Sequence, residues 1–231
     1  MRFLIKFSYD GTNYCGYQKQ PGLATIEGKM EEALTKINNG KKTSITATGR
    51  TDKKVHALAQ YAHADIDVNI TENKLKRALN SNIPDDIHVI ETKIVEDNFH
   101  ARYNVKEKTY KYIINLGEYN PIERNYVFQY NYKLDIKAIK EGIKYFEGTH
   151  DFRAFVTDNK EKENCVRTIT LTNIEEKDNK LVITFKGDGF LRYQVRNMVG
   201  ILIKIGENKI SPSKVKEILE SKDRTKAGKT A

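Results

Sequence analysis

Segments with the periodicity of strands and of helices alternate along the whole chain, which limits the folds that it can adopt. Residues 3–9 alternate apolar and polar side chains, which predicts a strand. Residues 25–38 place apolar side chains on one helical face behind Thr25, the expected N-cap. The further elements predicted in this half are strands at 44–48 and 57–67, a helix from Thr71 and a strand in IPDDIHVIETKIV. This content predicts an α+β fold.

The second part of the chain repeats this succession. The elements predicted there are a strand in KTYKYIINL, a helix over 136–146, a hairpin over 165–187, a helix over 191–205 and a short helix over 211–221. No low-complexity linker interrupts the chain, so we expect two fused halves, 1–105 and 106–231, with a groove between them. The stretches FSYDGTNY and FKGDGFLRY suggest either a duplication or two unrelated Asp-Gly turns.

The charge and cysteine content narrow the possible partners and compartment. The formal net charge is +9, which fits either a polyanionic partner such as nucleic acid or a lysine-rich solubilising surface. Cys15 and Cys165 are too few for a disulfide framework, which indicates a reducing cytoplasm. The N-terminus lacks a signal peptide, and no apolar run approaches the length of a membrane span. We therefore expect a soluble, cytoplasmic protein without a membrane partner.

One short stretch, ATGRTDKKVHALAQYAHAD, concentrates polar chemistry at a turn between two predicted strands. Arg50 precedes Asp52 by two residues. A guanidinium close to a carboxyl group lowers the pKa of that carboxyl, which would keep Asp52 ionised and nucleophilic. The alternative is an Asx-turn in which Asp52 caps its own backbone while Arg50 points to solvent. The two residues alone leave both interpretations open.

Two later stretches combine cations with aromatic or apolar side chains. In FHARYNVKEKTYKYIINL, aromatic rings alternate with basic groups, which suits nucleic acid, although Tyr110 and Tyr112 would equally pack on one face of a half-buried strand. In GDGFLRYQVRNMVG, Arg192 and Arg196 are four residues apart and are predicted to project from one helix face. They would form a clamp for phosphate or carboxylate, or a solvated pair.

The histidines do not have the spacing of a metal site. The candidates considered were His56, His63, His100 and His150. Neither the separation of the first two nor the isolation of the others fits a ligand motif. We predict no metal. A metal-dependent phosphodiesterase built on Asp52 and His56 would lack the necessary ligands.

Together and in order, the motifs resemble the tRNA pseudouridine synthase A family over nearly the whole chain. The stretches that carry the resemblance are YDGTNYCGYQKQ, GRTDKKVHALAQYAH, LNSNIPDDIHV, FHARYNVKEKTYKY, FEGTHDFRAF, RTI and GFLRYQVRNMVG. The resemblance implies that uridines at positions 38, 39 and 40 of the tRNA anticodon arm become pseudouridine without a cofactor. It also implies a homodimer and two similar halves whose antiparallel sheets join into one central sheet, with helices on one side and a basic cleft between the halves.

The resemblance also assigns roles to individual residues. It makes Asp52 the catalytic nucleophile, with Arg50 pairing with it and holding the flipped nucleotide. Tyr110 would stack on the target uracil, and Arg196 would be a second cation at Asp52. Arg192 is a further candidate for substrate binding. Whether the carboxylate attacks the sugar or the pyrimidine ring stays open.

Two departures from the family pattern leave an alternative function open. Lys54 stands where the family usually has glycine, and a φ above zero there would cost about 1 kcal/mol. The family pattern also continues past AGKTA into a last strand, whereas this sequence stops at Ala231. We interpret this as a shortened sequence. The alternative is a catalytically impaired tRNA-binding protein on the same scaffold.

Overall fold

A computed structural model describes residues 1–156 and 164–231. These residues form an α+β fold with two compact units, Met1–Val105 and Lys106–Ala231. The strands form two hydrogen-bonded sheets, one of four strands and one of five. The α+β class is therefore confirmed, whereas the continuation of the two sheets into one central sheet and the basic cleft remain predictions. No helix in the described ranges is long and apolar enough to cross a membrane.

The first unit is an antiparallel sheet with two helices packed on one face. Its elements are β1 (Arg2–Tyr9), α1 (Ile26–Ile37), β2 (Thr46–Ala47), β3 (Ala57–Asp65), α2 (Glu72–Asn80), β4 (Ile87–Val95) and the one-turn helix α3 (Ala101–Asn104). The strand order is β2-β3-β1-β4. Alternate side chains of β1, including Phe3, Ile5 and Phe7, are fully buried against apolar residues of α1 and α2. The period-two pattern of the N-terminus therefore identified the core face of this sheet.

Helix α1 begins where the sequence predicted. The Thr25 side chain accepts a hydrogen bond of 3.3 Å from Gly28 N, which confirms it as the N-cap. Strand β2 is shorter than the predicted 44–48, since only Thr46 and Ala47 pair with β3.

The second unit is a five-stranded sheet in the order β6-β5-β9-β8-β7. Its elements are β5 (Lys108–Asn115), β6 (Phe128–Gln129), α4 (Ile136–Lys144), β7 (Gly148–Asp151), β8 (Val166–Lys177), β9 (Lys180–Gly187), α5 (Gln194–Gly206) and α6 (Lys214–Ser221). The predicted hairpin is confirmed: Asp178 and Asn179, both at positive φ, connect β8 to β9. Buried side chains of β9 pack with α4, α5 and α6 in one core.

Helix α5 begins three residues later than the sequence predicted. Tyr193 adopts a left-handed conformation, with φ +60°, and the first helical residue is Gln194. Arg192 consequently precedes the helix. The prediction that Arg192 and Arg196 share one helix face is therefore wrong, because the left-handed residue interrupts the helical path between them.

Candidate active site

Asp52 occupies the first position of a tight turn between β2 and β3. Val55 N donates a hydrogen bond of 3.2 Å to Asp52 O, which closes a four-residue turn. Lys54, the third residue of the turn, has φ +64°. Positive φ at this position alone is the pattern of a type II turn, in which glycine is strongly preferred there. The predicted turn is thus confirmed. Lys54 has the positive φ that the sequence analysis considered for this position, where the family usually has glycine.

The backbone of the loop after β1 packs directly against this turn. A Cβ placed on Gly16, which has φ +97°, would lie 3.1 Å from Thr51 O. A Cβ on Gly11 would lie 2.1 Å from Val55 O, which is inside any permitted contact. Tyr17 N also donates a hydrogen bond of 3.1 Å to Thr51 O. The motif YDGTNYCGY therefore provides two glycines and a backbone donor that fix the position of the Asp52 turn.

Side-chain hydrogen bonds hold the residues on both sides of Arg50. The Tyr9 hydroxyl lies 2.8 Å from Thr51 Oγ1. Burial raises the pKa of Tyr9, so its phenol stays protonated. On the other side, Gln60 Nε2 donates a hydrogen bond of 2.9 Å to Gly49 O. The segment that carries Arg50 and Asp52 is therefore anchored to both β1 and β3.

Arg50 itself is exposed and lines a cavity of about 200 Å³ in the first unit. The other lining residues are Tyr17, Glu27, Ile45, Thr46, Ala47, His100, Arg102 and Tyr103. The sequence drew attention to the stretch that contains the last three of these but assigned no role to any of them. The alternation of aromatic and basic side chains in that stretch is the sequence signal that could have identified them. The pairing of Arg50 with Asp52 remains a prediction.

The other three predicted site residues belong to the second unit. Tyr110 lies on β5, half-buried, with its ring centroid 4.9 Å from that of Phe190. The guanidinium carbons of Arg192 and Arg196 lie 5.2 and 5.3 Å from the centroid of the Tyr193 ring. The two arginines therefore meet at one aromatic ring, although not on one helix face.

Arg196 is also tied to the last residue of the chain. Its Nε donates a hydrogen bond of 2.8 Å to Ala231 O, and Ala231 N donates one of 3.2 Å to Arg196 O. Burial raises the pKa of Tyr112, and the positive charge of the same arginine partly opposes that rise. The placement of Arg196 beside Asp52 remains a prediction.

Within residues 1–156 and 164–231, no group of three or more histidine, cysteine, aspartate or glutamate side chains is arranged to hold a metal ion.

Comparisons with known proteins identify the family. The family model described as tRNA pseudouridine synthase matches residues 5–104 and 143–231. The chain is 43% identical over 234 aligned positions to the tRNA pseudouridine synthase A of Streptococcus mutans serotype c, with 100% of this chain and 94% of that protein covered. It is 42% identical to the protein of the same name from Streptococcus sanguinis and 41% identical to one from Streptococcus pneumoniae, with the same coverage.

These matches define an isomerase of the pseudouridine synthase class. Because the similarity extends over the full length of the chain, the chain belongs to the tRNA pseudouridine synthase A family. The family predicted from the sequence motifs is therefore confirmed.

Proposed function

We propose that the chain converts uridine to pseudouridine in the anticodon arm of tRNA, at positions 38, 39 and 40, with Asp52 as the nucleophile. The observation that carries this proposal is the anchoring of the Asp52 turn by Gly11, Gly16 and Tyr17 from one side and by Gln60 from the other. A nucleophile is effective when its carboxylate is held in one orientation before the substrate arrives.

The reaction requires little beyond such a carboxylate. The bond between C1′ of the ribose and N1 of uracil breaks, the base turns, and a bond forms between C1′ and C5. C5 then loses its proton and N1 carries one, so the product has the same atoms as the substrate and no electrons are exchanged. An ionised Asp52 would attack either the sugar or the pyrimidine ring, and both routes use the same group.

The other candidate residues have side chains that suit the binding of a nucleotide flipped out of its base stack. Unstacking costs a few kcal/mol, and stacking on an aromatic ring such as Tyr110 returns about 1–3 kcal/mol. Arg50, Arg192 and Arg196 would provide cations for phosphate groups, in keeping with the net charge of +9. We propose that the tRNA lies in a basic cleft and that the enzyme acts as a homodimer, as the family resemblance implies.

The strained Lys54 was one reason to consider a catalytically impaired tRNA-binding protein. The turn remains closed despite the strain, because Val55 N still reaches Asp52 O. This observation favours an active enzyme over the impaired alternative.

The decisive experiment compares tritium release from tRNA labelled at C5 of uridine for the parent chain, Asp52→Asn and Asp67→Asn. Asp52→Asn keeps the size of the side chain but not its charge, so we expect release to fall at least about a thousand-fold. Asp67 pairs with Lys41 at the surface, and its variant should behave as the parent. The affinity for tRNA should stay within about tenfold of the parent in both variants. Undiminished release by Asp52→Asn would refute the nucleophile, and binding without release by the parent would support the impaired alternative.

A further inference from the structure

The cavity beside Arg50 contains two hydrogen-bond donors to which the proposed function gives no role, the Tyr17 hydroxyl and the Arg102 guanidinium. Arg102 lines it together with Arg50, and both side chains are exposed. A guanidinium donates hydrogen bonds but accepts none. Tyr17, which is 1% exposed, forms part of the same wall. The cavity therefore combines two exposed cationic donors with one buried phenol.

The Tyr17 hydroxyl is buried, and within the described part of the chain it has no hydrogen-bond partner. Burial, with a further contribution from the Glu27 carboxylate, raises the pKa of Tyr17 well above its ordinary value. The phenol thus remains a donor at any physiological pH. A buried donor without an acceptor destabilises the fold, and this cost is removed when a ligand supplies the acceptor.

The charge in the cavity wall favours an anionic ligand. Among the described residues that line the cavity, Glu27 is the one with a carboxylate, and its Oε2 already accepts a hydrogen bond of 2.6 Å from Lys19 N. The two guanidiniums outnumber it. A phosphate group offers several acceptor oxygens and can therefore satisfy two guanidiniums and a phenol at once.

An aromatic ring lies at the edge of the same cavity. Tyr103 stacks on His100, with ring centroids 4.3 Å apart and an interplanar angle of 29°. Tyr103 is nevertheless 78% exposed. One face of its ring is thus supported by His100 while most of the residue faces solvent, which is the arrangement of a stacking platform for a nucleobase.

We propose that this cavity binds one backbone phosphate of the RNA substrate through Tyr17, Arg50 and Arg102, while Tyr103 stacks on a base of the same strand. The proposal rests on the proposed function and extends it, because it gives a role in RNA binding to Tyr17, Arg102 and Tyr103, to which the proposed function gives none. Tyr17 connects the two, since its backbone N–H donates to Thr51 O next to Asp52. Occupation of the cavity would therefore help to fix the catalytic turn.

The first test compares the binding of unmodified tRNA by the full chain and by Tyr17→Phe. Loss of a hydrogen bond to a charged group should weaken binding about 10- to 100-fold. The unfolding temperature should not fall, since the hydroxyl has no hydrogen-bond partner among residues 1–156 and 164–231. Tyr130→Phe is the matched control, because the Tyr130 hydroxyl donates to Glu207 Oε1 at 2.7 Å in the second unit. It should lower the unfolding temperature and leave the affinity for tRNA unchanged.

The second test identifies the charged partner. Arg102→Gln should reduce the slope of log Kd against log salt by about 0.7–0.9, the value for one phosphate contact. Tyr17→Phe should leave the slope unchanged, because it removes a neutral donor. If both residues contact one phosphate, the double variant should lose less affinity than the two single losses combined.

Four results would overturn the proposal, each in a distinct way. Parent-like binding of tRNA by Tyr17→Phe would mean that the hydroxyl has no part in RNA recognition. A fall in its unfolding temperature similar to that of Tyr130→Phe would mean that the hydroxyl already has a partner in the free protein. Weaker stabilisation of Tyr17→Phe than of the parent by inorganic phosphate, with tRNA binding unchanged, would assign the cavity to free phosphate. A parent chain that does not bind tRNA would overturn the proposed function as well.

Discussion

Replacing Lys54 with glycine should make the protein more stable, which is the opposite of what glycine usually does in a folded chain. Lys54 has φ +64° at the third position of the Asp52–Val55 turn. A residue with a Cβ costs about 1–2 kcal/mol in this conformation, and glycine does not incur that cost. Glycine loses about 0.5–1 kcal/mol through its greater freedom in the unfolded chain. The net gain in the free energy of unfolding is then about 0.5–1 kcal/mol, or a rise in Tm of about 1–4 °C for a chain of this size.

The neighbouring Lys53 provides a matched control for this substitution. Lys53 is not among the described residues that have positive φ. Lys53→Gly therefore adds the entropic cost of glycine in the unfolded chain without relieving any strain in the folded one. Lys53→Gly should therefore lower Tm by about as much as Lys54→Gly raises it. Because both variants remove one positive charge, the loss of charge does not account for a difference between them. Calorimetry of the parent and the two variants measures the difference. A Tm for Lys54→Gly that equals or falls below that of Lys53→Gly would refute the type II turn and the strain assigned to Lys54.

Two further predictions concern the same unit. Gly16→Ala should reduce tritium release at least about tenfold and lower Tm, because its Cβ would press on Thr51 O at 3.1 Å and its φ of +97° suits only glycine; parent-like release and Tm would show that the contact does not fix the turn. The second prediction concerns pH. Burial lowers the pKa of His63 below its ordinary 6.5, and the charges of Arg2 and His100 lower it further; together they outweigh the Asp65 carboxylate, which raises it. The unfolded chain then binds more protons as pH falls through 6.5, so this contribution to stability is complete above about pH 6.5 and is lost below it. Urea unfolding from pH 7 to pH 5 should show this loss in the parent and a smaller one in His63→Gln, and equal losses would contradict it.

The elements of this fold were predictable wherever one face of an element is buried. Strand β1 is the clearest case, since its alternating apolar residues are also its core residues. Thr25 made the start of α1 predictable, because an N-cap is a hydrogen bond between residues that are close in the sequence. The start of α5 was not predictable in this way. Leu191 is buried like the helical residues that follow, so the apolar pattern continues through Tyr193, where the backbone turns left-handed.

The candidate site shows a different limit. Sequence identified Asp52 and Arg50 as notable but left open whether Asp52 merely caps a turn. The structure adds the reason for the geometry, which is the contact of Gly11 and Gly16 with a turn about forty residues further along the chain. A contact at that separation leaves no periodic signal, because it depends on two loops meeting rather than on one element repeating. The same holds for the cavity beside Arg50, where Tyr17 and Arg102 come from distant segments.

The two loops explain why the most distinctive motifs of the chain occur as a pair. In the backbone of residues 9–17, a Cβ on Gly11 would collide with Val55 O and one on Gly16 would press on Thr51 O at 3.1 Å, and Tyr17 N donates a hydrogen bond to Thr51 O. A substitution that disturbs one of these contacts should therefore change the position of the carboxylate even when it touches no substrate. Lys54 departs from the preferred glycine inside this arrangement, yet the turn closes, with Val55 N donating to Asp52 O and with Thr51 and Val55 held by the loop after β1. It follows that Lys54 should affect stability more than it affects the reaction at Asp52.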